Sequence, residues 1–208
     1  MLSIFGRAPV SKVTAPLGRA LNKTGLTPNS VTLIGTVVTV AAALTLFPGG
    51  YLFWGSVVIT VFVLFDMLDG AMARARGGGT KYGAVLDATC DRVADGAIFA
   101  GLAWWAVYTE GDKPLLIATL ICLVTSQVIS YAKARAEASG LSADGGWIER
   151  PDRLVIVLLG AGLTGIGRHF DIAWLDSVIY PAMWILAALS VVTVFQRVLA
   201  VRRSDGAR

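Results

Sequence analysis

The chain reads Asp66-Met67-Leu68-Asp69-Gly70-Ala71-Met72-Ala73-Arg74 and, after eight further residues, Gly83-Ala84-Val85-Leu86-Asp87-Ala88-Thr89-Cys90-Asp91. The four aspartates of these two segments lie near the ends of long apolar stretches, where an unpaired carboxylate is energetically costly. On helices, side chains three or four residues apart share one face. The pattern therefore indicates a metal site that draws its ligands from the ends of two helices.

The composition indicates an integral membrane protein. Of the 208 residues, 55% are hydrophobic and 15% are charged, and the mean hydropathy of +0.68 exceeds that of an average soluble domain. No residue from position 24 to position 65 is charged, and only Pro48-Gly49-Gly50 interrupts this stretch. It predicts a hairpin of two transmembrane helices of about 20 residues each.

Four further uncharged stretches complete a predicted all-α fold with six transmembrane helices. They cover residues 96–109, 114–132, 154–167 and 177–196. The fifth predicted helix is short and rich in glycine, which indicates close packing against neighbouring helices.

The basic residues predict the orientation of the chain. All 18 lysines and arginines except Lys113 and Arg168 fall on one side of the predicted helices, and such residues concentrate in cytoplasmic loops. We therefore expect a multi-pass protein of the cell (plasma) membrane, with both termini and the aspartates on the cytoplasmic side. This topology accounts for the net charge of +4 without a nucleic-acid partner.

The first 23 residues alternate basic and apolar side chains, a pattern typical of an amphipathic helix in the membrane interface. A disordered basic tail is the alternative. Residues 24–203 then form the membrane domain, and residues 204–208 form a C-terminal tail.

The ligand types at the acidic site predict which metal it binds. Carboxylates with no histidine or cysteine nearby favour Mg²⁺ or Mn²⁺ over Zn²⁺, and four of them can hold two ions. Such a pair of ions suits phosphoryl chemistry. In the alternative interpretation, the aspartates cap helices or pair with Arg74 and Arg92.

The spacing D-x-x-D-G-x-x-A-R-x(8)-G-x-x-x-D-x-x-x-D resembles the signature of the CDP-alcohol phosphotransferase family and matches it at every specified position. The resemblance implies six transmembrane helices around a polar, cytoplasm-facing cavity, and a homodimer. It also implies an enzyme that transfers a phosphatidyl or similar group from a CDP-linked lipid to an alcohol, with CMP leaving.

The resemblance assigns a role to each aspartate. Asp66, Asp69 and Asp87 would bind one metal ion, and Asp66, Asp87 and Asp91 would bind the second. Asp91 would also act as the general base that deprotonates the acceptor hydroxyl.

The resemblance further implies contacts with the CDP-lipid on both sides of the acidic segments. The residues concerned are Asn29, Ser30, Val31, Thr32, Gly70, Ala73, Arg74, Thr80 and Gly83. Asn29 and Ser30 also fit an ordinary helix start, in which a side chain caps free backbone N–H groups.

Basic residues near the predicted cavity mouth indicate an anionic acceptor. Lys133, Arg135, Arg153 and Arg197 form a predicted phosphate pocket. The alternative, that these residues only anchor the protein at the inner membrane surface, weighs most for Arg135.

The stretch from Ser130 to Gly140 resembles family members that transfer from CDP-diacylglycerol to inositol phosphate. Glycerol 3-phosphate is the alternative acceptor. A divalent-cation transporter is the alternative from another class, and the apolar run of residues 96–105 after Asp95 argues against it. Asp95 lies outside the signature, and we interpret it as solvated or paired within its helix.

Overall fold

The computed structural model describes residues 16–18, 20–23 and 25–204, without the side chains of residues 66 and 67. No strand occurs in these described ranges. The helices are α1 (Pro28–Leu46), α2 (Leu52–Ala75), α3 (Lys81–Tyr108), α4 (Lys113–Ala138), α5 (Arg150–His169), α6 (Ala173–Asp176) and α7 (Ile179–Arg203). The predicted interfacial segment lies mostly outside the described residues, and its described part, residues 16–18 and 20–23, is helical.

Within the described chain, four segments are long and apolar enough to cross a membrane. They are Pro28–Leu46, Leu52–Ala75, Lys113–Ala138 and Ala173–Arg203. The other two long helices, α3 and α5, carry charged side chains in their N-terminal parts, which lowers their hydropathy. The chain is thus an all-helical membrane protein.

The six long helices form a ring in which each packs mainly against two others. The order around the ring is α1, α2, α5, α7, α4, α3 and back to α1. The N-termini of α1, α3 and α5 lie at the same end as the C-termini of α2, α4 and α7. This polar end carries the two acidic segments. The opposite end, called the apolar end, has an apolar core between the helices and a cluster of charged side chains at its connections.

The start of α1 and the turn after it have clear local causes. Thr27 caps α1, since its Oγ1 accepts a hydrogen bond from the Ser30 N–H at 3.2 Å, and Pro28 occupies the first helical position. The cap is therefore neither Asn29 nor Ser30. After α1, Gly50 adopts a positive φ of 78°, which glycine tolerates, and the predicted hairpin turn is confirmed.

Glycines allow the helices to approach closely in the apolar end. A Cβ added at Gly101 of α3 would overlap the carbonyl oxygen of Ala43 in α1, and one at Gly165 of α5 would overlap the backbone of Phe53 in α2. The predicted close packing of the glycine-rich helix is thus confirmed.

At the apolar end, a cluster of polar side chains links the α3–α4 connection to α5, α6 and α7. Arg168 donates from Nη2 to Glu110 Oε2 at 2.7 Å and from Nε to Asp176 Oδ1 at 2.6 Å. Tyr180 donates to Glu110 Oε2 at 3.1 Å, and the Arg168 guanidinium lies 4.9 Å from the centre of the Trp105 ring. The hydrogen bonds from Arg168 hold the pKa of Glu110 below its usual value.

The contact at Gly101 predicts a specific stability defect. We expect Gly101→Ala to destabilise the protein by about 1–3 kcal/mol because the added methyl group overfills the α1–α3 contact. Gly96→Ala is the matched control on the same helix, since its Cβ would meet only Gln127 Nε2 at 3.8 Å. Thermal unfolding in detergent measures both variants, and equal unfolding temperatures would contradict the close contact.

Candidate active site

The acidic segments lie where α1, α2 and α3 meet at the polar end. Asp69 of α2 accepts a hydrogen bond from the buried hydroxyl of Thr32 in α1. Asp87 of α3 is close enough to both Asp69 and Asp91 for their negative charges to repel each other. Asp66 belongs to α2, three residues before Asp69, and its side chain lies outside the described part.

The described aspartates are near one another without converging on one point. Among the described side chains, no three acidic, histidine or cysteine groups are close enough to hold a metal ion. Asp91 is held by another partner, since its Oδ1 forms an ion pair with Arg150 Nη2 at 2.8 Å. The donor chemistry, carboxylate and hydroxyl oxygen, still fits a hard divalent cation.

The predicted CDP-lipid residues of α1 and α3 come together in space. Gly83 faces Asn29, because an added Cβ would lie 3.1 Å from Asn29 Oδ1. Thr80 caps α3 by accepting a hydrogen bond from the Gly83 N–H at 2.9 Å, a local role that sequence reasoning missed. The N-termini of the two helices thus present backbone N–H groups to one region, as an anion site requires.

The other predicted CDP-lipid residues lie around the same junction. Gly70 packs beside Arg74, whose Nη1 would lie 3.4 Å from an added Cβ, and Arg74 is exposed in the last turn of α2. Ser30 Oγ lies 2.8 Å from Thr27 Oγ1. Val31 is buried, and Ala73 is half-buried.

Arg76 fixes the start of α1 against the end of α2. It donates from Nε to Asn22 Oδ1 and from Nη2 to the carbonyl oxygen of Leu26, both at 2.7 Å. Asn22 in turn donates to the carbonyl oxygen of Met72 at 3.1 Å. The position of Arg76 in a charged loop did not predict this role, because its hydrogen-bond partners Asn22 and Leu26 are at least 50 positions away in the sequence.

A second polar feature is a cavity of about 690 Å³ beside Asp91, between α3, α4, α5 and α7. Five basic and three acidic side chains line it: Arg92, Lys133, Arg150, Arg153, Arg197, Asp91, Glu137 and Glu149. Three of the four predicted acceptor residues therefore meet here.

Arg135 does not join this group. It follows Lys133 by two residues, which turns it by roughly 200° around the helix, and it is exposed in the last turn of α4. Arg135 does not line the cavity. Anchoring at the membrane surface, the alternative for this residue, fits its position.

Arg153 and Arg197 are buried in the cavity wall, with exposed fractions of 2% and 5%. Arg197 donates from Nη1 to the carbonyl oxygen of Ile129 at 2.9 Å. Neither Nη atom of Arg153 has a hydrogen-bond acceptor among the described residues. A buried guanidinium needs such acceptors, so these two atoms are suited to an anionic ligand.

Arg150 is the main site residue that sequence reasoning missed. Its Nη2 pairs with Asp91, and its Nε donates to Asp95 Oδ1 at 3.1 Å. The only sequence signal was the charged run before α5. In the structure this run forms a capping box, in which Glu149 and Asp152 bond to each other's backbone. The helix α5 therefore begins here, and its first turn carries Arg150 and Arg153 on the side of α3.

An apolar groove of about 700 Å³ lies between α2 and α5. Its walls include Val57, Leu64, Leu158 and Leu163. Arg150 and Pro151 line both this groove and the polar cavity. The two spaces therefore meet at the start of α5.

Comparison with known proteins identifies the family. The family model described as CDP-alcohol phosphatidyltransferase matches residues 25–196. The chain belongs to the CDP-alcohol phosphatidyltransferase family.

Relatives within the CDP-alcohol phosphatidyltransferase family are close. A phosphatidylinositol phosphate synthase of Mycobacteroides abscessus is 60% identical over 207 residues, which cover 100% of this chain and 91% of the relative. One of Mycolicibacterium smegmatis is 62% identical over 204 residues, which cover 98% of this chain and 90% of the relative.

Two solved structures of the Mycobacterium tuberculosis phosphatidylinositol phosphate synthase are also similar. The structure with CDP-DAG bound matches with a TM-score of 0.87 and 59% identity, over 94% of this chain and 96% of that one. The complex with manganese and citrate matches with a TM-score of 0.86 and 60% identity, over 93% and 91% of the two chains.

The hydrogen bond between Thr32 and Asp69 predicts a change in metal affinity. We expect Thr32→Val to weaken Mn²⁺ binding about tenfold, because the hydroxyl that orients the Asp69 carboxylate is lost while the side-chain shape is kept. Thr36→Val is the matched control, since Thr36 donates only to the carbonyl oxygen of residue 32. Titration of Mn²⁺ by electron paramagnetic resonance measures both, and equal affinities would show that Asp69 needs no orienting group.

Proposed function

We propose that the protein transfers the phosphatidyl group of CDP-diacylglycerol to a hydroxyl of inositol phosphate, giving phosphatidylinositol phosphate and CMP. The observation that carries this proposal is the buried Arg153, which lies in the wall of a basic cavity beside Asp91. Among the described residues, its Nη1 has no hydrogen-bond acceptor, and its Nη2 has only an ion pair with Asp95 at 3.6 Å. An uncharged alcohol could accept hydrogen bonds there, but it would not offset the excess of positive charge that lines the cavity. The relatives named phosphatidylinositol phosphate synthase support the same acceptor.

The CDP-lipid is proposed to bind at the junction of α1, α2 and α3. The contacting residues are Asn29, Ser30, Val31, Thr32, Gly70, Ala73, Arg74, Thr80 and Gly83. The contact between Asn29 and Gly83 brings two helix N-termini to one region, and helix N-termini favour the phosphate groups of a ligand. The apolar groove between α2 and α5 is suited to acyl chains, and its polar end lies beside Arg150.

The enzyme uses divalent metal, and we infer that Asp66, Asp69, Asp87 and Asp91 hold two ions, Mg²⁺ or Mn²⁺. When bound, such ions neutralise pyrophosphate charge and stabilise the departing CMP oxygen. The donor set supports this inference because it contains only oxygen ligands. Thr32 orients Asp69 for it.

Asp91 is the proposed general base. Its Oδ1 forms an ion pair with Arg150 Nη2 at 2.8 Å, and its Oδ2 lies 3.7 Å from Arg92 Nη2. Because Arg150 holds Oδ1, we assign Oδ2 as the atom that takes the proton of the acceptor hydroxyl. The hydroxyl oxygen then bonds to the phosphorus that carries the diacylglycerol, and the bond from that phosphorus to the CMP oxygen breaks.

Lys133, Arg153 and Arg197 are the proposed acceptor-phosphate residues. Glycerol 3-phosphate has the same anionic group, and the identity of the relatives favours inositol phosphate over it. The transporter alternative requires a polar path to the opposite end. There, Ile98, Leu102 and Trp105 of α3 are buried in the apolar core instead.

We further infer that all six long helices cross the plasma membrane, with the polar end and both termini in the cytoplasm. The charged parts of α3 and α5 lie inside the ring, where they pair with each other. Small residues on the helices also permit the homodimer that the family resemblance implies.

An assay of CMP release tests the proposed function. We expect purified protein with CDP-diacylglycerol and Mg²⁺ to release CMP with inositol phosphate and to form the matching lipid. Asp91→Asn should lower kcat at least about 100-fold because the proton acceptor is lost. Arg153→Gln should instead raise the KM for inositol phosphate.

Arg202→Gln is the control, since Arg202 is exposed in the last turn of α7. Turnover with glycerol 3-phosphate alone would refute the proposed acceptor. Metal flux into sealed vesicles, without CMP release from CDP-diacylglycerol in the presence of either acceptor, would refute the proposed enzyme.

A further inference from the structure

Asp95 is buried behind the acceptor cavity, one helical turn after Asp91 on α3. It is 1% exposed, so the interpretation of Asp95 as solvated is wrong. It does pair within its helix, because Arg92 Nη2 lies 3.4 Å from its Oδ2. It also reaches two arginines that belong to another helix, α5.

The α5 contacts are an ion pair to each guanidinium. Arg150 donates from Nε to Asp95 Oδ1 at 3.1 Å, and Arg153 Nη2 lies 3.6 Å from Asp95 Oδ2. All three arginines line the cavity, and Asp95 does not. The buried Asp95 carboxylate therefore contacts three arginine side chains that line the cavity proposed for the acceptor.

The Asp95 carboxylate reduces the electrostatic repulsion among the three arginines. Three guanidinium groups that share one cavity wall repel each other, and a buried cation without a counter-charge is unfavourable. Asp95 offsets that repulsion from the side away from the cavity. A guanidinium has five N–H donors in a fixed plane, so Arg153 can pair with Asp95 and keep donors for a ligand.

We propose that Asp95 is a positioning residue for acceptor binding, which fixes Arg153 so that its remaining N–H groups face the acceptor phosphate and which holds Arg150 beside Asp91. It does not touch the acceptor. The proposal rests on the proposed function of the cavity and adds a residue outside the signature. Because Arg150 also holds Asp91, Asp95 links the phosphate pocket to the acidic site.

The proposal predicts a selective kinetic defect. Asp95→Asn keeps the side-chain shape and removes the charge. We expect it to raise the KM for inositol phosphate about tenfold, since charge-assisted bonds are the stronger ones, and to change the KM for CDP-diacylglycerol by less than about twofold. A merely structural role would alter both KM values together.

Two further variants make the test decisive. Asp95→Glu retains the charge in a shifted position and should give a smaller increase in acceptor KM than Asp95→Asn. Asp171→Asn, an exposed residue between α5 and α6, is the control and should leave both KM values unchanged. If Asp95→Asn does not fold, an unchanged acceptor KM in folded Asp95→Glu overturns the proposal.

A double-mutant cycle identifies the route of the effect. If Asp95 acts through Arg153, then Asp95→Asn combined with Arg153→Gln should raise the acceptor KM by less than the product of the two single effects. Independent effects would overturn the proposal. If the wild type uses glycerol 3-phosphate instead of inositol phosphate, the proposed acceptor is wrong, and the same comparison with glycerol 3-phosphate still decides the role of Asp95.

Discussion

Ion pairs between α3 and α5 hold together the polar end of the bundle. Asp91 and Asp95 on one helix meet Arg150 and Arg153 on the other, although the two helices are not principal neighbours in the ring. The contacts therefore cross the interior of the ring. Each partner would be unfavourable there alone, since a charge in a low-dielectric interior needs a counter-charge.

These crossing ion pairs divide the bundle into a closed end and an open end. At the closed end, glycines bring α3 against α1 and α5 against α2, and the core is apolar. At the open end, the paired charges bridge α3 and α5 beside the polar cavity. Arg150 and Pro151 separate this cavity from the apolar groove, so a lipid and a water-soluble acceptor can approach the acidic site from different sides.

Local patterns predicted much of the fold and of the site. The uncharged stretch with Pro48-Gly49-Gly50 predicted the first hairpin. The spacing of the signature predicted that Asp69, Asp87 and Asp91 lie near one another, at the junction of α2 and α3. The contact between Asn29 and Gly83 was predictable only through the family resemblance, because 54 positions separate the two residues. The cap at Thr27 was missed because the two polar residues after Pro28 fit a helix start equally well.

The unpredicted parts depend on pairing between distant residues. Arg150 and Asp95 are 55 positions apart, and neither has a local pattern that names its partner. Arg135 was grouped with Lys133 by charge, whereas helical geometry turns it away from the cavity. The charges that lower the hydropathy of α3 and α5 are the same charges that pair inside the ring, so hydropathy alone finds four of the six long helices.

The most direct measurement is a crystal structure of the protein with Mn²⁺ and inositol phosphate, with the metal located by anomalous scattering. We expect two Mn²⁺ ions between α2 and α3, one in contact with Asp66, Asp69 and Asp87 and the other in contact with Asp66, Asp87 and Asp91. The acceptor phosphate should lie within hydrogen-bond distance of the Nη atoms of Arg153. Metal remote from these aspartates, or a phosphate bound outside the cavity between α3, α4, α5 and α7, would contradict the proposed site.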